Sequence, residues 1–163
     1  MRLVYLSAAF WFLIDQGSKY GVLYGLNLIE RIHLEVLPPL LVFHLGWNTG
    51  VNFGLMAGGP EVTRYGLVVL ALLICGWIFY WAKTGLTRPW ALISAGAVIG
   101  GALGNALDRM IHGAVIDFLN MSCCGFNNPY AFNIADIAVF AGAIGLVLFT
   151  SGEPDKSKGK NAS

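Results

Sequence analysis

Four long apolar segments constrain this chain more than any other feature of its sequence. They run from about Leu3 to Tyr24, Val62 to Ala82, Trp90 to Leu107 and Ile134 to Phe149. Spanning a bilayer takes about 20 mainly apolar residues, each rising roughly 1.5 Å along the helix. Hydrophobic residues make up 56% of the 163 residues and charged residues 12%, which is typical of an integral membrane protein. The sequence therefore predicts an all-α membrane protein with four transmembrane helices.

The positions of the basic residues predict the orientation of these helices. Four spans place both ends of the chain on one side of the membrane, and cytoplasmic segments are enriched in Lys and Arg. The basic residues that would share this side are Arg2, Lys83, Arg88, Lys156, Lys158 and Lys160. We therefore expect cytoplasmic termini, one membrane domain over residues 1–150 and a disordered polar tail over residues 151–163. The net charge of +1 gives no reason to expect a nucleic acid partner.

The segment between the first two helices, about residues 27–60, is predicted to form a small β-sheet. The stretch LPPLLVFHLGWNTGVNFGLMAGG contains a β-branched and aromatic run, a turn at Asn48-Thr49-Gly50 and a shorter run through Val51, Phe53 and Leu55. Open sheet edges cannot lie in hydrocarbon, because their backbone groups would have no hydrogen-bond partners. We therefore expect an extracytoplasmic sheet at the membrane surface, resting on lipid or on a lipid-bearing ligand.

The third apolar segment has one face with almost no side chains. Gly96, Gly100 and Gly104 recur there at intervals of four residues. Small residues at this spacing allow another helix to approach closely. We predict that the fourth helix, which is also rich in Gly and Ala, packs here and brings the polar ends of both helices together.

Ionisable residues in or beside a spanning segment are functional candidates unless a structural partner accounts for them. Asp15 and Lys19 are four residues apart with the acid first, which favours a helical ion pair. A purely structural pair, with Lys19 reaching outward to the interface, is as reasonable as a functional role. Asp108 and Arg109 lie about one turn after Asn105, at the end of the third helix. We interpret them mainly as structural, with Arg109 tying down a neighbouring loop or carboxylate.

Asp117 and Asp136 are harder to explain by structure alone. Asp117 lies just beyond the third helix, in the apolar sequence VIDF, with no cation within a turn of sequence. Asp136 lies in the first turn of the fourth helix, where the helix dipole by itself can account for a carboxylate. If the two helices pack closely, both carboxyl groups enter one pocket of low dielectric and share a proton. This is the arrangement of an aspartic protease.

Two other classes of function stay open at this point. Several Asp residues near one membrane face can hold Mg²⁺ with a phosphate substrate, which suggests metal-dependent transfer on a lipid head group. A non-catalytic carrier or assembly factor can use the same acids for ion binding or helix packing. The sequence contains neither HExxH nor GxSxG, and its three cysteines include no CxxC pair. Zinc and serine hydrolase chemistry therefore have no basis in the sequence.

The chain resembles the bacterial lipoprotein signal peptidases, also called signal peptidase II, which are aspartic proteases of the inner membrane. The matching motifs are DQGSK, NTGVNFG, GGALGNALDR, VIDF and FNIAD, in that order over nearly the whole chain. The resemblance implies that Asp117 and Asp136 form the catalytic dyad, without a metal or other cofactor. It also implies a role in supporting the site or contacting substrate for Asp15, Lys19, Asn48, Gly50, Asn105, Asp108, Arg109 and Asn133.

The resemblance further implies the substrate and the location of the site. The substrates are expected to be diacylglyceryl-modified prolipoproteins, cleaved before the lipidated cysteine. The active site is expected at the outer face of the inner membrane, in a monomer that contacts membrane lipids. Asn105 and Asn133 are expected to orient the carboxylates or the substrate amide, and Arg109 to brace the loop that carries Asp117. The proton of the dyad is assigned to neither aspartate at this stage.

Overall fold

The computed structural model describes residues 1–50, 59–123 and 128–151. The elements found there are, in order, α1 (Arg2–Tyr20), a π-helical turn (Gly21–Gly25), α2 (Leu28–Arg31), β1 (His33–Leu37), β2 (Leu41–Asn48), α3 (Pro60–Thr84), α4 (Pro89–His112), β3 (Val115–Asn120) and α5 (Ile134–Thr150). The described part of the fold is thus mostly helical, with one small sheet. The second predicted strand, Val51 to Leu55, and residues 152–163 of the predicted tail lie outside the described residues.

Long helices occupy all four apolar segments. Helices α3 and α4 begin at Pro60 and Pro89, because proline suits the first turn of a helix, where its missing N–H is not needed. With 25 and 24 residues, both are long and apolar enough to cross a membrane. Helix α5 is also apolar, with 17 residues. Length and composition thus support membrane spans for α3 and α4, whereas the count of four spans stays a prediction.

Helix α4 is longer than the sequence predicted. It continues past Leu107 to His112, so that Asp108 and Arg109 lie inside the helix instead of flanking its end. Polar residues can continue the helix here because Asp108 is buried against partners from other elements. The helix ends at Gly113, whose φ of +81° is the left-handed conformation that favours glycine.

The glycines of α4 let two helices, and not one, approach closely. Gly96 and Gly100 face α1, where an added Cβ at Gly96 would lie 2.5 Å from the carbonyl oxygen of Val4. The neighbouring Gly101 faces α5, where an added Cβ would meet Ala135 and Ala138. The prediction that this face packs against the fourth helix is therefore wrong for Gly96 and Gly100, which face α1, and correct only for Gly104, which lies near Ala135 of α5 as well as Asp15 of α1.

The sheet is three-stranded and antiparallel, with the order β1-β2-β3. The predicted β-branched and aromatic run is β2, which pairs with β1 on one side and with β3 on the other. The sequence predicted that the whole sheet comes from the segment between the first two helices, and this is wrong for β3, which follows α4. Strand β3 places Asp117 opposite Gly46, so that this acid lies in a paired strand and not in a loop.

The alternation of side chains along β3 points Asp117 and its neighbour to opposite faces of the sheet. Phe118 is buried in an apolar cluster with Val22 and Leu28. Its ring packs edge-on against Phe43 of β2, with the ring centroids 5.5 Å apart. Burial of Phe118 on one face therefore sets the direction of Asp117 on the other.

Replacement of Gly100 by Ala is expected to loosen the contact between α1 and α4. The new methyl group would meet the backbone of Ala8, which cannot move aside by changing a rotamer. Overpacking of this kind costs about 1–3 kcal/mol in the free energy of unfolding. Thermal unfolding in detergent measures the loss.

The matched control is Gly76→Ala on α3. A Cβ at Gly76 has no heavy atom within 4 Å, so this variant is expected to unfold at or slightly above the wild-type temperature. Equal unfolding temperatures for Gly100→Ala and Gly76→Ala would contradict the close contact.

Candidate active site

The start of α5 turns the carboxylate of Asp136 back toward the sheet. Asn133 caps the helix, and its side-chain oxygen accepts a hydrogen bond of 2.9 Å from the backbone N–H of Asp136. In return, Asp136 Oδ2 accepts one of 3.2 Å from the backbone N–H of Asn133. This capping box satisfies two backbone donors at the helix start and fixes the side chains of both residues. Asp136 is therefore held in a defined orientation as soon as the helix forms.

The amide of Asn133 joins the two aspartates. Its Nδ2 donates to Asp117 Oδ1 at 2.6 Å, while its Oδ1 is the cap that holds Asp136. The side chain of Asn133 is completely buried, so that water does not compete for these bonds. The same Nδ2 lies 3.2 Å from the carbonyl oxygen of Ile116, which ties α5 to β3. Asp117 and Asp136, singled out in the sequence, are thus brought together through one asparagine.

Two further asparagines complete the bonds to the carboxylates. Asn48 Nδ2 donates to Asp117 Oδ2 at 3.1 Å, and Asn105 Nδ2 donates to Asp136 Oδ1 at 2.9 Å. Asn48 itself is oriented by Gly50, whose backbone N–H donates to Asn48 Oδ1 at 3.0 Å. Gly50 adopts a φ of +75°, a turn conformation that suits glycine. Every carboxylate oxygen of the pair therefore accepts a hydrogen bond from an uncharged amide.

The surroundings of Asp117 favour its protonated form. Burial raises the pKa of Asp117 from 3.8 to about 6, and the nearby charge of Asp136 adds to the increase. The hydrogen bonds from Asn48 and Asn133 act in the opposite direction, because they stabilise the ionised carboxylate. Asp117 is only 4% exposed, which explains why desolvation dominates.

The predicted ion pair between Asp15 and Lys19 is confirmed. Lys19 Nζ lies 2.8 Å from Asp15 Oδ2. The alternative in which Lys19 reaches outward is wrong, because its side chain is completely buried and its ammonium also lies 2.7 Å from Asp108 Oδ2. With two carboxylates as partners, the ammonium of Lys19 is stabilised more by turning inward than by reaching water at the membrane interface.

Gln16 also belongs to this buried group, although its sequence position alone did not predict it. Its Nε2 donates to Asp15 Oδ2 at 3.1 Å and to Asp108 Oδ1 at 2.9 Å. The signal available in the sequence was a polar residue next to Asp15 inside an otherwise apolar helix.

Arg109 has a different partner from the one expected. Its Nη1 donates to the carbonyl oxygen of Asn105, 3.3 Å away in the same helix. The backbone ahead of Asp117 is held instead by Asp108, whose Oδ2 accepts from the N–H of Ile116 at 3.2 Å. The segment before Asp117 is thus held by a hydrogen bond to Asp108 and not by Arg109. The two side chains point in different directions, because successive helical residues are about 100° apart.

The two aspartates lie between two cavities of different character. A largely apolar groove of about 730 Å³ lies between α3, α4 and α5 and is lined at its polar end by Asn105, Arg109 and Asp136. A smaller, more polar cavity of about 260 Å³ is lined by Asp117, Trp47, Asn48 and residues 129–131. A chain that passes from the groove to the polar cavity would cross both carboxyl groups.

Within residues 1–50, 59–123 and 128–151, no group of three or more His, Cys, Asp or Glu side chains is arranged to hold a metal ion. The acids Asp15 and Asp108 are bonded to Lys19, and Asp117 and Asp136 are bonded to amides. Each of these four acids is therefore held by protein donors.

Comparison with known proteins identifies the family of this chain. A family model described as Signal peptidase (SPase) II matches residues 7–151. The lipoprotein signal peptidase of Methylobacterium radiotolerans is 37% identical, over 90% of this chain and 83% of that relative. That of Alteromonas mediterranea is 35% identical, over 100% of this chain and 87% of the relative.

A solved structure is also similar in fold. It is described as a bacterial membrane enzyme structure obtained by the in meso method at 1.9 Å resolution, and it covers 94% of this chain and 96% of its own. The TM-score is 0.79 at 24% sequence identity. The family match runs from within α1 to just past the end of α5 and thus includes Asp117, Asp136 and the residues bonded to them. The chain therefore belongs to the signal peptidase II family.

Proposed function

We propose that this protein is an aspartic endopeptidase that removes signal peptides from diacylglyceryl-modified prolipoproteins, and that Asp117 and Asp136 are its catalytic dyad. The relatives named lipoprotein signal peptidase support the substrate class. The observation that carries the proposal is the pair of carboxyl groups held by Asn133 at the polar end of an apolar groove. A lipid-modified peptide needs an apolar site for its chains and a polar site for hydrolysis, and both adjoin the dyad here.

The reaction requires one ionised and one protonated carboxyl group. The raised pKa of Asp117, about 6, supports Asp117 as the member that holds the proton. Entry of substrate displaces water and raises this pKa further, because desolvation disfavours the charged form. Asp136 is then the general base.

Proton transfers follow from this assignment. Asp136 takes a proton from a bound water as the water oxygen attacks the carbonyl carbon that precedes the lipidated cysteine. Asp117 hydrogen-bonds the carbonyl oxygen and stabilises the negative charge that develops there. When the peptide C–N bond breaks, the amine of the cysteine takes up a proton from the dyad, and the signal peptide leaves with a new carboxyl group.

The two cavities suit the two parts of the substrate. The apolar groove accepts the signal helix and the acyl chains, because its lining is largely Leu, Ala, Val, Ile and Phe. The polar cavity beside Asp117 accepts the polypeptide that follows the cysteine. Asn105 and Arg109, at the polar end of the groove, are positioned to bind the peptide backbone near the scissile bond.

The membrane arrangement is part of the proposal. Lys83 lies at the end of α3, and Arg88 directly precedes α4. Asp117 follows the other end of α4, and Asp136 lies in the first turn of α5. Cytoplasmic enrichment of basic residues then places the dyad and the sheet at the outer face of the bacterial inner membrane, with both termini inside. We infer four spans in one membrane domain, which works as a monomer in contact with lipid.

Replacement of either dyad member, by Asp117→Asn or Asp136→Asn, is expected to abolish cleavage. An amide cannot exchange the proton that the reaction moves, and loss of an acid or base costs about 10²–10⁴-fold in rate. Conversion of a lipidated prolipoprotein peptide by the purified protein measures the effect. Glu35→Gln, an exposed acid of the sheet, is the control that keeps wild-type activity.

The same assay separates the other two functional classes. Wild-type cleavage in the presence of EDTA excludes a metal-dependent phosphotransferase, and the appearance of a cleaved product excludes a carrier or assembly factor. Normal processing by a folded Asp117→Asn or Asp136→Asn variant would remove the dyad from the mechanism.

Asp117→Asn is also expected to change how stability depends on pH. Since the pKa of Asp117 is raised to about 6 in the folded protein, wild type loses stability as pH rises from about 4 to about 6 and the buried carboxyl ionises. The variant has no such loss. Its stability relative to wild type should increase over this range by at most about 3 kcal/mol and then stay constant.

Thermal unfolding in detergent at a series of pH values measures this difference. A fixed offset caused by the new amide does not vary with pH, so only the slope between about pH 4 and about pH 6 is informative. If the stability of the two proteins changed with pH in parallel across this range, the pKa of Asp117 would not be raised.

Filling the apolar groove is expected to weaken substrate binding. Ala143 lines the groove, whereas Ala141 is exposed on the same helix outside it. Ala143→Phe should therefore raise KM by about tenfold or more, since about 1.4 kcal/mol of lost binding corresponds to a factor of ten. Ala141→Phe should leave KM and kcat unchanged. Equal effects of the two substitutions would place the substrate elsewhere.

A further inference from the structure

We propose that Lys19 is a positioning residue of the dyad, which it reaches through Asp15, Asp108 and Asn105. The inference rests on the proposed function, because it assigns Lys19 a part in the same reaction. The ammonium of Lys19 lies 2.8 Å from Asp15 Oδ2, 2.7 Å from Asp108 Oδ2 and 3.2 Å from Asn105 Oδ1. An ammonium has three N–H donors, and each of them has an acceptor here.

The two acids carry this constraint to the backbone beside each dyad member. Asp15 Oδ1 accepts a hydrogen bond of 2.9 Å from the N–H of Ala135, the residue before Asp136. Asp108 Oδ2 accepts one of 3.2 Å from the N–H of Ile116, the residue before Asp117. One cation thus holds two carboxylates, and each carboxylate holds the chain one residue ahead of a catalytic aspartate.

The third contact of Lys19 sets the orientation of an amide. Asn105 Oδ1 accepts hydrogen bonds from Lys19 and from Asn133 Nδ2, both 3.2 Å long. Asn105 Nδ2 is therefore left to donate to Asp136 Oδ1. If the Asn105 amide were reversed, its NH2 group would face two donors, Lys19 and Asn133, and its oxygen would face the carboxylate of Asp136. The charge on Lys19 makes this reversal more costly, so that Asp136 keeps its donor.

A purely structural role for Lys19 accounts for less of this arrangement. Gln16 already bridges Asp15 and Asp108, and its other hydrogen bond is 3.3 Å long, to the carbonyl oxygen of Gly104. The contacts of Gln16 thus end within the bundle of α1 and α4. Those of Lys19 continue to Asn105 and from there to Asp136. Bridging of the two acids alone would not require the contact with Asn105.

The test uses Lys19→Met in the full chain, purified in detergent. If Lys19 positions the dyad, kcat falls by about 10²-fold, the loss that a misplacement of about 1 Å produces, while KM changes by less than about threefold. The side-chain NH2 signals of Asn105 in asparagine-labelled ¹⁵N NMR spectra, assigned with Asn105→Ala, are expected to move. Unchanged kcat and unchanged Asn105 signals in the folded variant would overturn the proposal.

Gly145→Ala is the control for a general loss of stability, because its new methyl group would meet the side chain of Ser94 at the end of α5 that is remote from Asp136. It should lower the unfolding temperature yet leave kcat and the Asn105 signals as in wild type. If Lys19→Met does not fold, because it leaves two buried acids without a cation, Lys19→Arg takes its place. Arg keeps the charge, but the N–H groups of its planar guanidinium cannot point at all three acceptors of Lys19, which lie on different sides of the ammonium. Wild-type kcat and Asn105 signals in Lys19→Arg would then overturn the proposal.

Failure of the proposed function gives a different result. If wild type does not cleave the lipidated peptide, the peptidase assignment fails, whatever the variants do. The Asn105 signals still test the positioning role in that case, because they report the orientation of the amide without turnover.

Discussion

Close packing of α4 against both α1 and α5 brings together polar side chains that would otherwise stand alone in an apolar bundle. Gly100 of α4 lies against Ala8, Gly101 lies against α5, and an added Cβ at Gly104 would lie 2.6 Å from Asp15 Oδ2. At this separation a carboxylate of α1 reaches the backbone of α5 directly, as the bond from the N–H of Ala135 to Asp15 shows. A wider spacing would leave buried charges without partners, which costs several kcal/mol for each ion. The absence of side chains on α4 is therefore what permits charge in the interior.

The buried polar groups divide into two layers with different physical tasks. Lys19 lies between Asp15 and Asp108 and compensates part of their charge in the interior. Around Asp117 and Asp136 the direct hydrogen-bond donors are the uncharged amides of asparagine and one backbone N–H. A Lys or Arg bonded directly to Asp117 would lower its pKa and hold it ionised. Amides orient the carboxyl groups and still leave the pKa of Asp117 raised to about 6. Among the described residues no Lys or Arg hydrogen-bonds Asp117 directly, and desolvation therefore dominates the pKa of this carboxyl group.

The site also joins two environments that a lipid-modified peptide needs at the same time. Helices α3, α4 and α5 leave an apolar groove, and the sheet with its neighbouring segment forms a polar cavity next to Asp117. Strand β3 links the two, because Phe118 is anchored in the apolar cluster under the sheet while Asp117 faces the opposite side. A buried and partly uncompensated carboxyl group lowers stability near neutral pH, and the close helix packing offsets this cost. Catalytic sites are commonly maintained at the expense of stability in this way.

The sequence by itself determined the four apolar helices, the pairing of Asp15 with Lys19, the close approach at the glycines of α4, and Asp117 and Asp136 as the candidate dyad. The first three follow from composition or from spacing along one helix, which are local properties of the chain, whereas the candidate dyad is what the resemblance of the motifs VIDF and FNIAD implies. Only the tertiary structure decided that Asp117 lies in a strand paired with β2, that α4 contacts α1 as well as α5, and that Lys19 turns inward to Asp108. It also decided that Asp108, and not Arg109, holds the chain ahead of Asp117. These features depend on contacts between residues far apart in sequence, such as Gln16 with Asp108, and the side a buried group faces is set by the partner that satisfies it.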